Sequence, residues 1–208
     1  MTDHPIRGRL NAWLLDALDG YMDRLYGPLK RSLLGTVPQR VVEIGPGTGA
    51  NLRYYPPGTH LVAVEPNARM HGRLQRHADR HGIRLELIAD GAETLRLEAG
   101  SVDLVYTTLV LCSVSDPLAV VREARRILRP GGRFVCIEHV AAPRGSPVLP
   151  LQRLIARPWR WLFEGCRLLN DTEAVLRGAG FSEVSVRPLV IPTVFLPIRH
   201  QIAVVGTV

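Results

Sequence analysis

The chain has 208 residues, of which 46% are hydrophobic and 22% are charged. This length and composition predict a single globular domain, 1–208, with a substantial core. The formal net charge of +7 comes from arginines scattered along the chain, with Lys30 as the only lysine, and no basic run alternates with aromatic residues. We therefore expect no nucleic-acid binding.

The cysteines and the first residues of the chain indicate a cellular compartment. Cys112, Cys136 and Cys166 are too few for a disulfide framework and too widely spaced for a zinc site, so we predict a reducing environment and no metal ion. The first residues lack the charged start and apolar stretch of a signal peptide, and no apolar run reaches the roughly 18 residues of a membrane span. These features predict a cytoplasmic protein.

The N-terminal region is predicted to form two helices. Apolar residues recur at helical spacing over residues 10–26, and the pair Gly27-Pro28 then interrupts the pattern before a second helical stretch. Tyr21 and Tyr26 are candidates to cover a ligand bound to the domain. The alternative is that both tyrosines only pack the helix against the rest of the chain.

The next element is an apolar strand at 40–44 that runs into three alternate glycines, Gly45, Gly47 and Gly49. Glycine suits such a loop because the chain turns tightly and a Cβ would keep a ligand away from the backbone amides. In a dinucleotide fold the third glycine comes one residue later, and Glu43 would repel a diphosphate. The pattern therefore favours a ligand with a cationic amino group and no phosphate, such as S-adenosylmethionine. This argument requires the Glu43 carboxylate to face the ligand rather than the core.

Two further candidate ligand-binding segments follow the next two predicted strands. A strand at 60–64 ends at Glu65, where an acid accepts hydrogen bonds from both hydroxyls of a ribose. A strand at 84–88 is followed by an acidic turn of the kind that contacts an adenine. The residues expected beside the adenine are Asn67, Met70, Asp90, Gly91 and Ala92.

The alternation of strands and helices predicts a parallel sheet with helices on both faces. Further strands are predicted at 102–107 and 133–139, and helices are predicted near 50–54, 68–81 and 117–128. The carboxyl ends of the strands should face one crevice, where Thr107 and its neighbours offer a carbonyl to the amino group of the ligand. His139, at the end of the fifth strand, is the candidate to accept or hold a proton, because imidazole titrates near neutral pH. The alternative is a histidine that only orients a neighbouring loop.

Beyond His139 the chain changes character. Residues 143–166 begin with a turn-rich stretch and then mix arginines, tryptophans and leucines. This segment is compatible with a substrate lid, with an interfacial membrane helix at 148–163, or with a plain amphipathic helix on the sheet. A short helix after Asp171 and a hairpin of antiparallel strands at 181–186 and 201–205 should close the domain.

The order of these motifs resembles that of class I S-adenosylmethionine-dependent methyltransferases. The resemblance implies a Rossmann-like fold with a seven-stranded, mostly parallel sheet, a C-terminal antiparallel hairpin, N-terminal lid helices in 1–35 and a cofactor-binding core at 40–139. The cofactor-binding residues on this interpretation are Tyr21, Glu43, Gly45, Pro46, Gly47, Gly49, Asn51, Glu65, Pro66, Asn67, Met70, Asp90, Gly91, Ala92, Thr107, Thr108 and Leu109.

Several short sequence motifs resemble more closely those of the methyltransferase-like seven family. The animal members of that family are thiol S-methyltransferases. These motifs are EIGPGTGAN from Glu43, TLVLCSV from Thr108, EHVAA from Glu138 and WLFEGC from Trp161. The chain differs in lacking the apolar N-terminal anchor of that family and in carrying Pro46 where the family commonly has cysteine. The resemblance implies methyl transfer from S-adenosylmethionine to a small-molecule thiol, with S-adenosylhomocysteine as product.

Two alternatives stay open at this point. The first is an O- or N-methyltransferase acting on a small natural product or metabolite. The second is a cofactor-binding protein without catalysis that attaches to a membrane surface through the arginine- and tryptophan-rich segment. Cys112 and Cys166 are expected to line the pocket, because methyl transfer requires no covalent enzyme intermediate.

Overall fold

The computed structural model describes residues 5–208, apart from the side chains at positions 5–7, 9, 12 and 15. The first four residues of the predicted cap region, His4 among them, lie outside this range. The α-helices are α1 (Pro5–Leu34), α2 (Ala68–His81), α3 (Pro117–Ile127), α4 (Val148–Leu162) and α5 (Thr172–Arg177). The strands are β1 (Arg40–Ile44), β2 (His60–Val64), β3 (Arg84–Ile88), β4 (Val102–Thr108), β5 (Leu128–His139), β6 (Glu183–Val190) and β7 (His200–Thr207).

All seven strands form one sheet with the order β3-β2-β1-β4-β5-β7-β6. The first five are parallel, and β7 is antiparallel to both of its neighbours, so the predicted α/β fold and C-terminal hairpin are confirmed. The strand order reverses between β1 and β4. In open α/β sheets the ligand crevice lies at such a switch point, outside the carboxyl ends of the strands.

Alternation along β1 divides its side chains between the two faces of the sheet. Val42 and Ile44 pack into the core cluster that includes α3, whereas Val41 packs into the cluster that includes α2. Because successive side chains of a strand point to opposite faces, Glu43 shares the face of Val41. This orientation determines what the carboxylate of Glu43 can reach.

The N-terminal prediction of two helices is wrong, because α1 is continuous through Pro28. Proline removes one intrahelical hydrogen bond, but the residues on either side of it are both anchored in the domain. The hydroxyl of Tyr26 accepts a hydrogen bond from Gln201 Nε2 at 2.6 Å, and Lys30 Nζ donates to Asn51 at 2.7 Å. Tertiary contacts therefore override the local preference for a break.

Other boundaries differ in smaller ways. The helix predicted near 50–54 is a single 3₁₀ turn at Leu52–Tyr54, β5 begins five residues before the predicted start, and β6 extends through Pro188 to Val190. Proline is tolerated in β6 because this strand lies at the edge of the sheet. Two helices begin at an aspartate cap: Asp116 accepts from Ala119 N–H at the start of α3, and Asp171 accepts from Ala174 N–H at the start of α5.

The predicted lid segment contains α4, which is fixed to the domain by Gln152. This fully buried amide accepts from Ala142 N–H at 2.8 Å and donates to the carbonyls of Pro197 at 2.8 Å and Val140 at 3.1 Å. These bonds join α4 to the segment after β5 and to the segment before β7. Within the described part of the chain, no helix is both long enough and apolar enough to cross a membrane.

Candidate active site

The three glycines form a left-handed loop at the carboxyl end of β1. Their φ angles are +66° at Gly45, +58° at Gly47 and +95° at Gly49, a region that residues with a Cβ rarely adopt. A Cβ on Gly45 would lie 2.5 Å from the side chain of Val110, in the segment that follows β4. Glycine is therefore required at Gly45 both for the turn and for the close approach of the two segments.

A second acid closes this loop from the neighbouring strand. Glu65 is buried directly after β2, and its carboxylate accepts from the N–H of Gly47 at 3.0 Å and of Asn67 at 2.9 Å. Burial raises the pKa of Glu65 above its usual range, and the two backbone hydrogen bonds oppose that rise. A carboxylate has about four lone-pair positions, so capacity remains for the hydroxyls of a ribose.

Glu43 occupies a different position from the one its predicted role requires. It is fully buried, with one carboxylate oxygen accepting from Asn51 Nδ2 at 2.6 Å and the other from the Tyr55 hydroxyl at 2.7 Å. Asn51 in turn accepts from Lys30 Nζ at 2.7 Å. We call Lys30, Glu43, Asn51 and Tyr55 the donor-side network. These residues lie beneath the glycine loop, which is expected to hold the methyl donor.

The charges of the donor-side network are shifted by burial. Burial raises the pKa of Glu43, and the hydrogen bonds from Asn51 and Tyr55 partly offset this. Burial also lowers the pKa of Lys30 from 10.5 to about 8, although the nearby Glu43 carboxylate favours the charged ammonium. The network therefore links α1 to the first strand through Asn51, which lies between the Lys30 amine and the Glu43 carboxylate.

A second cluster lies after the ends of β4 and β5. The Nε2 atom of His139 is 3.1 Å from the Sγ atom of Cys166, which lies 3.6 Å from the Sγ atom of Cys112. Trp159 Nε1 donates to Cys166 Sγ at 3.3 Å. We call Cys112, His139, Trp159 and Cys166 the acceptor-side cluster, because His139 is the residue expected to act on the methyl acceptor.

The acceptor-side cluster favours a thiolate at Cys166. Hydrogen bonds from Cys112, His139 and Trp159 outweigh desolvation and lower the pKa of Cys166 to about 4. The pKa of Cys112 rises well above its usual value, first because it shares a hydrogen bond with Cys166 and then because it is buried. Beside the cluster, burial raises the pKa of Glu138 to about 7, although this acid accepts from the N–H groups of Val110 and Leu111.

Comparison with known proteins identifies the family of this chain. Residues 42–136 match the family described as "Methyltransferase domain". The chain is 38% identical over 165 residues to thiol S-methyltransferase TMT1B of Homo sapiens, covering 78% of this chain and 68% of that protein. It is 35% identical to the human TMT1A over the same shares of both chains. The chain belongs to the thiol S-methyltransferase family.

A solved structure agrees with this methyltransferase in fold. The SAM-dependent methyltransferase from Aquifex aeolicus superposes with a TM-score of 0.65 and 16% identity, over 94% of this chain and 97% of that one. The enzyme is therefore an S-adenosylmethionine-dependent methyltransferase with a Rossmann-like fold. S-adenosylmethionine is its methyl donor.

The family assignment does not depend on the electrostatic argument made for Glu43. That argument is wrong as stated, because the carboxylate lies on the α1 side of β1 and both of its oxygens are bonded to protein groups. Asn51, predicted to bind the cofactor, likewise uses its amide on Glu43 and Lys30. Any influence of either residue on the methionyl group acts through the loop above them.

The methyltransferase uses its two tyrosine candidates differently. Tyr26 is buried against Ile137 and Ile191 and bonded to Gln201, so it packs α1 and does not cover the cofactor. Tyr21 is half-buried, and its hydroxyl accepts from Val194 N–H at 2.9 Å. Its predicted contact with the methionyl end of the cofactor stays a prediction.

The remaining predicted positions of the methyltransferase lie along the crevice. Asp90 and Gly91 are exposed after β3, whereas Ala92 is buried. Leu109 has a left-handed φ of +58° where β4 ends, a strained conformation for a residue with a side chain. Pro46, Met70 and Thr107 are buried, and Pro66 and Thr108 are partly exposed. The structure thus gathers these residues at one edge of the sheet, and their individual contacts with the cofactor stay predictions.

Two unpartnered polar atoms lie at the edge of the sheet where the methyltransferase would hold its cofactor. Among the described residues, the buried Asn67 Nδ2 and Thr107 Oγ1 atoms have no hydrogen-bond partner. Asn67 follows β2 and Thr107 lies near the end of β4, the two strands on either side of β1 and its glycine loop. The adenosine and amino-acid parts of the cofactor carry hydrogen-bond acceptors and donors that could pair with these atoms. Buried polar groups are normally paired, so a polar ligand at this edge would complete them.

Several neighbours of the site are not predicted by any pattern in the sequence. Lys30, Tyr55, Gln152 and Trp159 were assigned no role, yet each holds part of the site. The one available signal was Lys30, the single lysine among 26 basic residues. The cysteines are expected from their spacing to be too scattered for a zinc site, yet Cys112 and Cys166 converge from positions 54 residues apart.

Proposed function

We propose that this methyltransferase transfers the methyl group to the sulfur of a small-molecule thiol and releases S-adenosylhomocysteine. The observation that carries the proposal is the environment of His139. Its Nε2 atom is held by Cys166, whereas its buried Nδ1 atom has no partner among the described residues. Relatives 35% and 38% identical to this chain bear the name thiol S-methyltransferase, which supports the same acceptor.

The reaction needs two contributions from the protein. When bound, S-adenosylmethionine supplies an activated methyl group and leaves as a neutral thioether. The glycine loop and Glu65 hold the donor in place, and such positioning supplies much of the rate of an in-line displacement. His139 supplies the second contribution by accepting the proton of the acceptor thiol at Nδ1, so that a thiolate attacks the methyl carbon.

The orientation of His139 suits this role. With a proton on Nε2 donated to the Cys166 sulfur, the ring keeps the lone pair of Nδ1 available as an acceptor. Only modest help is needed, because a free thiol with a pKa near 8.5 is already a few per cent thiolate at neutral pH. A phenol or an amine needs stronger activation, which is why the cluster suits a thiol best.

For the cofactor we propose contacts by position in the crevice. The backbone of residues 45–49 approaches the methionyl group, Glu65 accepts from the ribose hydroxyls, and Asn67 donates from its unpartnered amide nitrogen. The turn at residues 90–92 brackets the adenine edge. Each contact can be checked in a structure determined with S-adenosylhomocysteine.

A panel of acceptors tests the proposed reaction. The enzyme is incubated with S-adenosylmethionine and a set of small thiols, phenols and amines, and S-adenosylhomocysteine is measured against a reaction without acceptor. We expect product with thiols. Turnover of phenols or amines without turnover of any thiol would contradict the proposal and favour the O- or N-methyltransferase alternative.

A contact with a membrane surface is a second candidate property, favoured by exposed apolar side chains. In α4, Leu154 is 79% exposed and Trp161 is 65% exposed, and Trp13 of α1 is 59% exposed. The α1 and α4 helices approach each other where Asn11 Nδ2 donates to the Leu162 carbonyl at 3.4 Å. The α4 sequence also contains Arg153, Arg157 and Arg160, and a helix that mixes arginines with exposed leucine and tryptophan resembles an interfacial helix. Liposome flotation tests it, and lipid binding without binding of S-adenosylmethionine in calorimetry would favour a non-catalytic membrane-surface protein.

A further inference from the structure

We propose that Cys112, His139 and Cys166 form a binding site for a thiophilic divalent metal cation of the Zn²⁺ type. The two sulfur atoms and one imidazole nitrogen all lie within 4.8 Å of one another, and all three residues are buried. The site lies after the carboxyl ends of β4 and β5, on the acceptor side of the crevice. It is independent of which acceptor the enzyme methylates.

The spacing of the three atoms is close to that of a tetrahedral zinc centre. With zinc–sulfur bonds of about 2.3 Å and zinc–nitrogen bonds of about 2.0–2.1 Å, tetrahedral angles place two sulfurs about 3.8 Å apart and a sulfur and a nitrogen about 3.6 Å apart. The observed separations are 3.6 Å between the sulfurs and 3.1 Å between His139 Nε2 and Cys166 Sγ. The third pair, the Cys112 sulfur and the His139 nitrogen, lies within 4.8 Å, so side-chain adjustments of about half an ångström to about 1.2 Å would admit the ion.

The ligand types also match a thiophilic cation. Two cysteines and one histidine form a three-ligand set that occurs in open zinc sites, where a fourth position is left for water or an exogenous ligand. The two thiolates balance the charge of a divalent ion in a buried place. Outer groups already contact both sulfurs, since Trp159 Nε1 donates to Cys166 and Ser113 Oγ lies 3.4 Å from Cys112 Sγ. Such contacts orient ligands and tune a metal site.

The backbone delivers both cysteines through unusual turns. Among the described residues, Leu109 and Glu164 are the two non-glycine positions with positive φ, at +58° and +48°. Leu109 precedes Cys112 by three residues, and Glu164 precedes Cys166 by two. Strained conformations of this kind cluster at functional sites, where the surrounding structure compensates for them. A strained backbone position thus lies shortly before each of the two proposed cysteine ligands.

Occupancy of the site would change the state of His139. An ion bound to Nε2 leaves the ring proton on Nδ1, the atom to which we assign acceptance of the thiol proton. The metal-bound form would then lack its base. The proposal itself is tested by metal binding, which does not require turnover.

A disulfide is the competing use of the two cysteines. Its formation would shorten the distance between the sulfurs from 3.6 Å to about 2.05 Å and would require an oxidant such as a peroxide. The metal needs smaller movements and no oxidant. Both outcomes can be separated in one experiment.

The test uses reduced, metal-free full-length protein titrated anaerobically with Co²⁺ and then with Zn²⁺. We expect one equivalent of Co²⁺ to give the intense visible bands of tetrahedral cobalt and a thiolate charge-transfer band, and Zn²⁺ to displace it. Cys112→Ser, Cys166→Ser and His139→Ala should each weaken binding by more than the ~10–100-fold that loss of an outer-shell partner costs. Cys136→Ser is the matched control, because Cys136 is buried in the core and outside the cluster, and it should bind like the wild type.

A second measurement on the wild type protects the test against variants that fail to fold. X-ray absorption of the zinc-loaded protein should show two sulfur ligands at about 2.3 Å and one nitrogen at about 2.0–2.1 Å. Absence of both spectroscopic signatures in the reduced wild type would overturn the proposal, as would equal loss of binding in Cys136→Ser. A Cys112–Cys166 disulfide in protein that binds no metal after reduction would assign the pair to redox chemistry instead.

Discussion

The donor-side network and the acceptor-side cluster are both buried and polar, but they differ in how completely their atoms are paired. In the network, both oxygens of Glu43 and both polar groups of Asn51 have partners, and Lys30 and Tyr55 complete the set. In and beside the cluster, His139 Nδ1 and Glu138 Oε2 have no partner among the described residues. A fully paired network fixes one geometry, whereas unpaired groups keep capacity for a ligand.

This difference corresponds to the two tasks of a methyl transfer. The methyl donor is always the same molecule, so the loop that approaches it benefits from a rigid support of paired charges. The acceptor must be bound and deprotonated, so its side of the crevice needs groups that can still exchange a proton. Substitutions on the two sides should consequently affect different measurements, with stability responding on the donor side and chemistry on the acceptor side.

The largest effect is expected from Lys30→Met, which leaves the buried side-chain oxygen of Asn51 without its donor. A buried acceptor left without its donor costs up to about 3 kcal/mol. We expect a loss approaching this size in the free energy of unfolding, measured with urea above the folded pKa of Lys30 of about 8, where desolvation of a charged amine no longer offsets the gain. Arg24→Met on the exposed side of the same helix is the matched control and should stay within about 0.5 kcal/mol of the wild type. Equal stabilities for the two variants would show that the network does not support the loop.

The pH dependence of stability provides a second test of the same lysine. Burial lowers the pKa of Lys30 from 10.5 to about 8, so between these values the unfolded chain binds more protons than the folded protein. Stability due to this group therefore rises with pH across the window, by about 3 kcal/mol at about 1.36 kcal/mol per pH unit. Burial of Tyr26, whose pKa rises to about 12, acts in the opposite direction above pH 10. The quantity to measure is thus the difference in free energy of unfolding between wild type and Lys30→Met. No change in that difference from pH 8 to pH 10 would contradict the lowered pKa assigned to Lys30.

The two regions also differ in how far the sequence predicts them. The glycine loop is local: strand 40–44 and its three glycines specify the turn, and the parallel core follows from strands and helices of the expected lengths. The direction of Glu43 was misjudged because its partners come from elsewhere, Tyr55 from 12 residues away and Lys30 from α1 through Asn51. Side-chain alternation along β1 contained the correction, since Glu43 shares the face of the buried Val41.

The acceptor-side cluster could be predicted only in part. His139 lies at the end of β5 as predicted, at the edge of the sheet that faces the crevice, and its role stays a prediction. The meeting of Cys112 with Cys166 depends on the path of the chain after β5, where Gln152 fixes α4 and positive φ angles turn the segments. No pattern in the spacing of the cysteines specifies that path.

Gly45→Ala is expected to affect donor binding by about 100-fold, or roughly 2.8 kcal/mol at 1.4 kcal/mol per tenfold change. Its new Cβ would meet Val110 at 2.5 Å and displace the loop. The dissociation constant for S-adenosylmethionine is measured by calorimetry. Gly58→Ala is the matched control, because Gly58 also has a positive φ, +85°, but has open space where a Cβ would lie. Equal affinities for the donor in both variants would show that the close approach at Gly45 is not needed for binding.

His139→Gln is expected to have the smallest effect, with a size that depends on the acceptor. At pH 7 a thiol with a pKa near 8.5 is about 3% ionised, so loss of the base should lower kcat/KM for thiols by at most roughly 30-fold. The deficit should shrink as pH rises and vanish above the pKa of the thiol. A phenol with a pKa near 10 is about 0.1% ionised at pH 7 and would suffer roughly 1000-fold. Rates are measured with a chelator present, and His60→Gln, at the other end of the sheet, should match the wild type. A deficit for thiols that does not change with pH would assign His139 a positioning role instead of proton transfer.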